Sequence, residues 1–237
     1  MGTAAMLRAA GVGAGDEVVV PAFDDGGAAR AVVAAGSVPV FADIDPTTYC
    51  LDADRVDAVV GPRTAAVVLV HRFGRPAATG PLTELGRRRG LLLLQQQEEG
   101  DEGADEEHEV AGRRLHARYF DGRLRGVRVP EGSAGHTYRQ YVVRVPGNGR
   151  PDRDAYARVL RARGVDCRVP VPTPVHRLPA YRRSVVLPET ERAADETLAL
   201  PLGDGLTRRE ARRIVSVCNS LGDVVRPAPA AWLAAAF

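Results

Sequence analysis

An α/β fold with a parallel sheet, joined to a smaller α+β part, is what this sequence predicts, on three observations. Short apolar runs of strand length alternate with alanine- or valine-rich stretches of helix length as far as residue 94. A run of glutamine, glutamate, aspartate and glycine then interrupts the pattern. Beyond it, strands and helices no longer alternate regularly.

The strands of the first part are Val18–Val20, Val38–Phe41, Ala66–Val70 and Leu91–Leu94. Between them, Gly26–Ala35 and Asp52–Val60 have helical composition. Asp52 can cap its helix by accepting first-turn amides, and Gly36 is suited to the left-handed stop. A third helix, Pro81–Arg89, starts on a proline, whose missing N–H costs nothing there, and stops at Gly90. Strand–helix alternation of this kind implies parallel strands with right-handed crossovers. Residues 95–111 hold too little apolar surface to offset chain entropy, so an acidic solvent loop is expected there.

The second part, residues 112–224, reads as α+β. Strands are expected at Tyr138–Val145 and Val165–Val169, separated by a helix over Asp152–Arg163. That helix has Asp152 as its cap, Tyr156, Val159 and Leu160 on the inner face, and Gly164 at its end. A proline-rich crossing, Pro170–Pro174, follows. Thr207 and Glu210 form a capping-box pair, after which Ile214, Cys218 and Leu221 share one face and Gly222 closes the helix. Residues 225–237 read as a loosely attached tail.

Hydrophobic residues at 45% and charged residues at 26% suit a globular protein with a sizeable core. A net charge of +2 argues against a nucleic-acid partner, so the arginine clusters at 87–89 and 208–213 read as solvated helix faces. The three cysteines are widely spaced, which indicates neither a disulfide framework nor a metal site. No apolar run approaches the length a bilayer requires and no signal-peptide pattern is present, so a soluble, cytoplasmic protein is expected. One compositional feature is extreme: all 32 basic residues are arginine, and lysine is absent. Individual polar residues are ambiguous. His71 follows a strand where open sheets place ligands, yet a structural histidine is the simpler reading. Asp43 and Asp45 read as a strand-ending turn.

Several stretches occur in a telling order: Gly2-Thr3-Ala4-Ala5, then Gly15 to Phe23, Pro39 to Pro46, Val70 to Ala77, Tyr138 to Val145, Pro172 to Arg182 and Leu200-Pro201-Leu202. Together they resemble the DegT/DnrJ/StrS-type nucleotide-sugar aminotransferases over residues 1–94 and about 112–221. The resemblance implies an aspartate-aminotransferase fold, with residues 1–94 as a large-domain remnant, and pyridoxal phosphate as cofactor. It implies that Gly2 and Thr3, at a helix start, bind the cofactor phosphate, which suits free amides and a hydroxyl at a positive helix end. It places Gln96 where the family has the aspartate that pairs with the pyridinium nitrogen, and His176 near the substrate pocket. Asp25 stands where the family stacks an aromatic ring on the cofactor.

The block carrying the family's Schiff-base lysine is missing, so no catalytic residue is assigned. His108 and His116 flank the junction but sit in no matching motif. The expected function is therefore that of a degenerate homologue, inactive alone, or a partner subunit in a homo- or heterodimer with an intact homologue that takes a nucleotide-sugar. Two alternatives stand beside it: an active aminotransferase or dehydratase-like enzyme using another residue or a partner chain, and a non-functional gene product. Loss of the sheet's middle would leave apolar surface for a partner to cover.

Overall fold

The structure is a computed structural model and describes residues 2–96, 107–133, 135–147, 152–203 and 205–222. In chain order the elements are α1 (Thr3–Ala9), β1 (Glu17–Pro21), α2 (Gly27–Ala35), β2 (Val38–Ala42), α3 (Ala53–Val59), β3 (Thr64–Val70), α4 (Thr79–Arg89) and β4 (Leu92–Gln96). After these come α5 (Glu107–Asp121), β5 (Tyr141–Arg144), α6 (Arg153–Ala162), α7 (Pro188–Glu196), β6 (Thr197–Leu200) and α8 (Arg208–Gly222). The chain folds into two compact units that interleave in sequence. The first comprises Met1–Ala104, Glu131–His136 and Val171–Ala194, and the second comprises Asp105–Pro130, Thr137–Pro170 and Asp195–Phe237.

In the first unit a parallel sheet runs β2-β1-β3-β4. Its inner strands are apolar at every position from Val18 to Val20 and from Ala65 to Val70 because both faces are covered. Val18, Val20, Val68 and Val70 pack with Leu7, Ala28 and Val32 on one face. Val19, Val67 and Leu69 pack with Val56, Leu82 and Leu85 on the other. Each such side chain contributes roughly 1.5–3 kcal/mol on leaving water. Among the described residues β4 is an edge strand of the sheet, and its Leu92, Leu93 and Leu94 are only half-buried.

Local signals act as the residues dictate. Asp52 accepts from the Arg55 amide at 3.0 Å, and Gly36 and Gly90 end their helices with left-handed φ values of 92° and 68°. α4 begins at Thr79, which places Pro81 inside the first turn, where its amide would have no intrahelical partner. Arg87, Arg88 and Arg89 are exposed in the last turn of α4, where cations complement the helix dipole.

The second unit packs α5, α6 and α8 with the antiparallel pair β5-β6. Phe120, Tyr141, Leu160, Leu198, Ile214 and Cys218 lie in its core. Two of its buried tyrosines have their hydroxyls partnered by nearby groups: Tyr141 donates to Asp121 at 2.6 Å and Tyr156 to the Cys218 carbonyl at 3.2 Å. Thr207 and Glu210 form the reciprocal cap, with the Thr207 amide donating to Glu210 at 2.8 Å and the Glu210 amide to Thr207 Oγ1 at 3.2 Å.

Five expectations differ from the structure. Asp152 stands at the N-cap of α6, but its backbone is already helical and its side chain makes no cap hydrogen bond. Val165–Val169 is not a strand; only Arg168 pairs, with Ala199, and the prolines that follow cannot donate to a ladder. α7 and β6 were not signalled by periodicity. The segment 171–194 packs in the first unit rather than with a continuous 112–224 part, held by the Val175 amide on the Ala22 carbonyl at 2.9 Å and by Asp43. Of the acidic loop, Gln95 and Gln96 belong to β4 and residues from Glu107 onward to α5, while 97–106, like the tail 225–237, lie outside the described residues.

Asp43 does more than end a strand. Its carboxylate accepts from the amides of Glu189 at 3.0 Å and Thr190 at 2.8 Å, capping α7 from almost 150 positions away in sequence. Replacing Asp43 by alanine is expected to cost about 1–2 kcal/mol of unfolding free energy, read by urea denaturation, with Asp43→Asn recovering part of it.

Candidate functional site

Open α/β sheets bind ligands at the carboxyl ends of the strands where strand order reverses. Here the order β2-β1-β3-β4 puts that crevice between β1 and β3, beside Phe23, Asp24, His71, Arg72 and Phe73. Protein groups fill it. Asp24 Oδ2 accepts from the amides of Gly26 at 3.1 Å and Ala28 at 3.4 Å, at the start of α2. Asp24 Oδ1 faces Arg72 at 3.4 Å, and both side chains are about 97% buried. Burial pushes the Asp24 carboxyl up from the usual range, against the pull of the Arg72 guanidinium. That guanidinium also lies 4.7 Å from the Phe73 ring centroid and 5.6 Å from that of Phe23, so cation–π attraction adds to the ion pair. Tyr49 completes the aromatic cluster, with its ring 5.6 Å from Phe23 and 5.5 Å from Phe73.

Asp25, at the position of the expected aromatic ring, turns back to accept from the Gly27 amide at 2.7 Å. Asp24-Asp25-Gly26-Gly27 is thus a helix-capping turn. An acid pair before a glycine-led, alanine-rich helix is a local signal that sequence reading could have used.

The sequence-derived site residues fall in two places. Gly2 is the N-cap of α1 and has no side chain to cap it. Thr3 follows and is 9% exposed, and its hydroxyl donates to Gln96 Oε1 at 2.9 Å. The structure therefore brings Thr3 and Gln96 together across 93 positions of sequence. His71 is a structural histidine: Nδ1 accepts from the Ala77 amide at 3.0 Å, which leaves Nε2–H to donate to Gln95 Oε1 at 3.1 Å.

His176 lies elsewhere in the first unit and shares no hydrogen bond or ring contact with Gly2, Thr3 or Gln96 among the described residues. It is 1% exposed, with its ring 6.3 Å from that of Phe41 and Nε2 3.5 Å from Glu191 Oε1. Neither ring nitrogen has a properly directed hydrogen-bond partner among the described residues.

Set against the cofactor that the resemblance implies, these residues do not fit. There is no lysine to carry it, Asp25 has no ring to stack, and the Gln96 carboxamide lacks the charge that would balance a pyridinium. Among the described residues no group of three or more histidine, cysteine or acidic side chains is placed to hold a metal ion, and no helix is long and apolar enough to cross a membrane. In the second unit an open groove of about 630 Å³ is lined by Arg139, Asp166, Arg168 and Glu210, the last of which is committed to its helix cap.

Burial holds the His176 pKa below its ordinary value of 6.5, with Glu191 opposing that shift most, Arg177 reinforcing it and Asp43 opposing it more weakly. A histidine depressed in this way leaves stability intact above about pH 6.5 and removes it as the pH falls, because the unfolded chain takes the proton first. Unfolding free energy measured between about pH 8 and 5 is expected to fall more steeply in wild type than in His176→Phe. Parallel profiles would show that His176 titrates normally.

A model of the DegT/DnrJ/EryC1/StrS aminotransferase family matches residues 1–99 and 104–219. L-glutamine:2-deoxy-scyllo-inosose aminotransferase of Streptomyces kanamyceticus is 43% identical over 112 residues, which take in 46% of this chain and 26% of that enzyme. The chain thus matches about a quarter of the length of such relatives. A pleiotropic regulatory protein of Geobacillus stearothermophilus is 26% identical over 299 positions, covering 88% of this chain and 79% of the relative. That span exceeds the 237 residues of this chain, so the relative carries residues inside it that this chain lacks. The structure of NtdA from Bacillus subtilis with bound cofactor PMP superposes with a TM-score of 0.83 at 18% identity, covering 93% of this chain and 71% of that one, a likeness of fold. With its α/β first unit and a family match along most of its length, the chain belongs to the DegT/DnrJ/EryC1/StrS aminotransferase family.

Proposed function

We propose that this chain is a sugar-aminotransferase relative that does not transaminate on its own, and that it serves in the cytoplasm as the partner of an intact family member. One observation carries the proposal: 237 residues without a lysine. A Schiff base with a carbonyl cofactor forms on a primary amine that can give up its proton. Arginine keeps its charge and offers no such nitrogen. On this reading Gly2, Thr3, Gln96 and His176 are the inherited positions of a cofactor and substrate site rather than a working one. The half-buried leucines of β4 are a surface that a partner would cover.

The lineage is that of enzymes acting on the ketone of a sugar or a sugar-like ring. Two of the relatives, at 43% and 44% identity, carry glutamine and scyllo-inosose in their names, which makes a cyclitol ketone as fitting for an intact partner as a nucleotide-linked keto-sugar.

The purified chain, supplied with pyridoxal phosphate, glutamine or glutamate and a keto-sugar or keto-cyclitol, is expected to form amino product no faster than buffer. Co-expressed with an intact homologue, it is expected to co-purify in a fixed ratio. Turnover by the chain alone would overturn the reading.

A further inference from the structure

Resting on that reading but going beyond it, we infer that the first unit has lost the noncovalent hold on the cofactor as well as the covalent one. The side chains at the positions where the resemblance places that hold, Thr3 and Gln96, are engaged with each other. Thr3 has one hydroxyl proton, and it is given to Gln96 Oε1 at 2.9 Å. Donating to a phosphate instead would take that proton away from Gln96. The Gln96 carboxamide is neutral, so it supplies no counter-charge for a protonated ring nitrogen.

The positive end of α2 is closed in the same way. The amides of Gly26, Gly27 and Ala28 go to Asp24 and Asp25, so they are not free for an arriving anion. Arg72, the guanidinium at this end of the sheet, is 3% exposed and held between Asp24 and two aromatic rings. His71 spends both nitrogens on Ala77 and Gln95. A phosphorylated pyridine would have to displace these side-chain contacts at Thr3, Gln96, Asp24 and Asp25 to engage the same groups, so the chain is a cofactor-free member of its family.

Pyridoxamine phosphate separates this inference from the simpler loss of a lysine, because it carries its own amine and needs no Schiff base. The experiment is equilibrium dialysis and thermal unfolding of the full chain with pyridoxamine phosphate. No saturable binding up to about 1 mM is expected, and Tm should move by less than about 1 °C. Saturable binding anywhere in that range overturns the inference and leaves the reading of an enzyme without its lysine standing. Turnover by the chain alone would sink that reading instead.

A second arm tests the internal contact directly with Thr3→Val, Gln96→Leu and the double variant, each checked for folding by circular dichroism. If the two side chains satisfy each other, the double variant loses less Tm than the two single losses added together. Strict additivity would overturn the inference, since Thr3 and Gln96 would then be independent and open to a ligand.

Discussion

A buried carboxylate is tolerated only where its lone pairs are filled and its charge is answered, and Asp24 imposes that condition on the first unit. The α2 amides answer one of its oxygens and Arg72 the other. Arg72, two residues beyond β3, reaches Asp24 beside the rings of Phe23 and Phe73 and is buried there. The start of α2, the exit of β3 and the aromatic cluster with Tyr49 are thereby fixed together. The crevice that this sheet order would open to a ligand is instead part of the fold.

On the proposed reading, the capacity to fold and the capacity to catalyse have come apart in this chain. Two complete cores survive: both faces of the parallel sheet are covered in the first unit, and three helices pack with the β5-β6 pair in the second. These need only apolar side chains at the right period, which the sequence keeps. Catalysis needs particular atoms at particular places, and the positions where the resemblance puts them hold Asp25 and Gln96, with no lysine anywhere in the sequence. Family membership therefore assigns the fold firmly while leaving the chemistry to be argued from the site.

What could be read from the sequence was local. The Asp52 cap, the Gly36 and Gly90 stops and the Thr207–Glu210 box each depend on residues within a turn of one another, and each forms. What could not be read was long-range. Asp43 caps α7 from across the chain, so the residues preceding Pro188 carry no cap signal of their own. Segment 171–194 joins the first unit through the Val175–Ala22 hydrogen bond and apolar contacts of Val175 and Leu187, none of which leaves a periodic trace. At the candidate site, family likeness pointed to Thr3 and Gln96 one at a time. Only the structure shows them bonded to each other.

Native mass spectrometry of the chain, purified from cells grown with abundant vitamin B6, tests the separation of fold from cofactor most directly. A mass equal to the polypeptide alone, in a protein whose circular dichroism shows folded helices, is the result expected of a chain that fills its own site. A folded species heavier by one bound pyridoxal or pyridoxamine phosphate would contradict it.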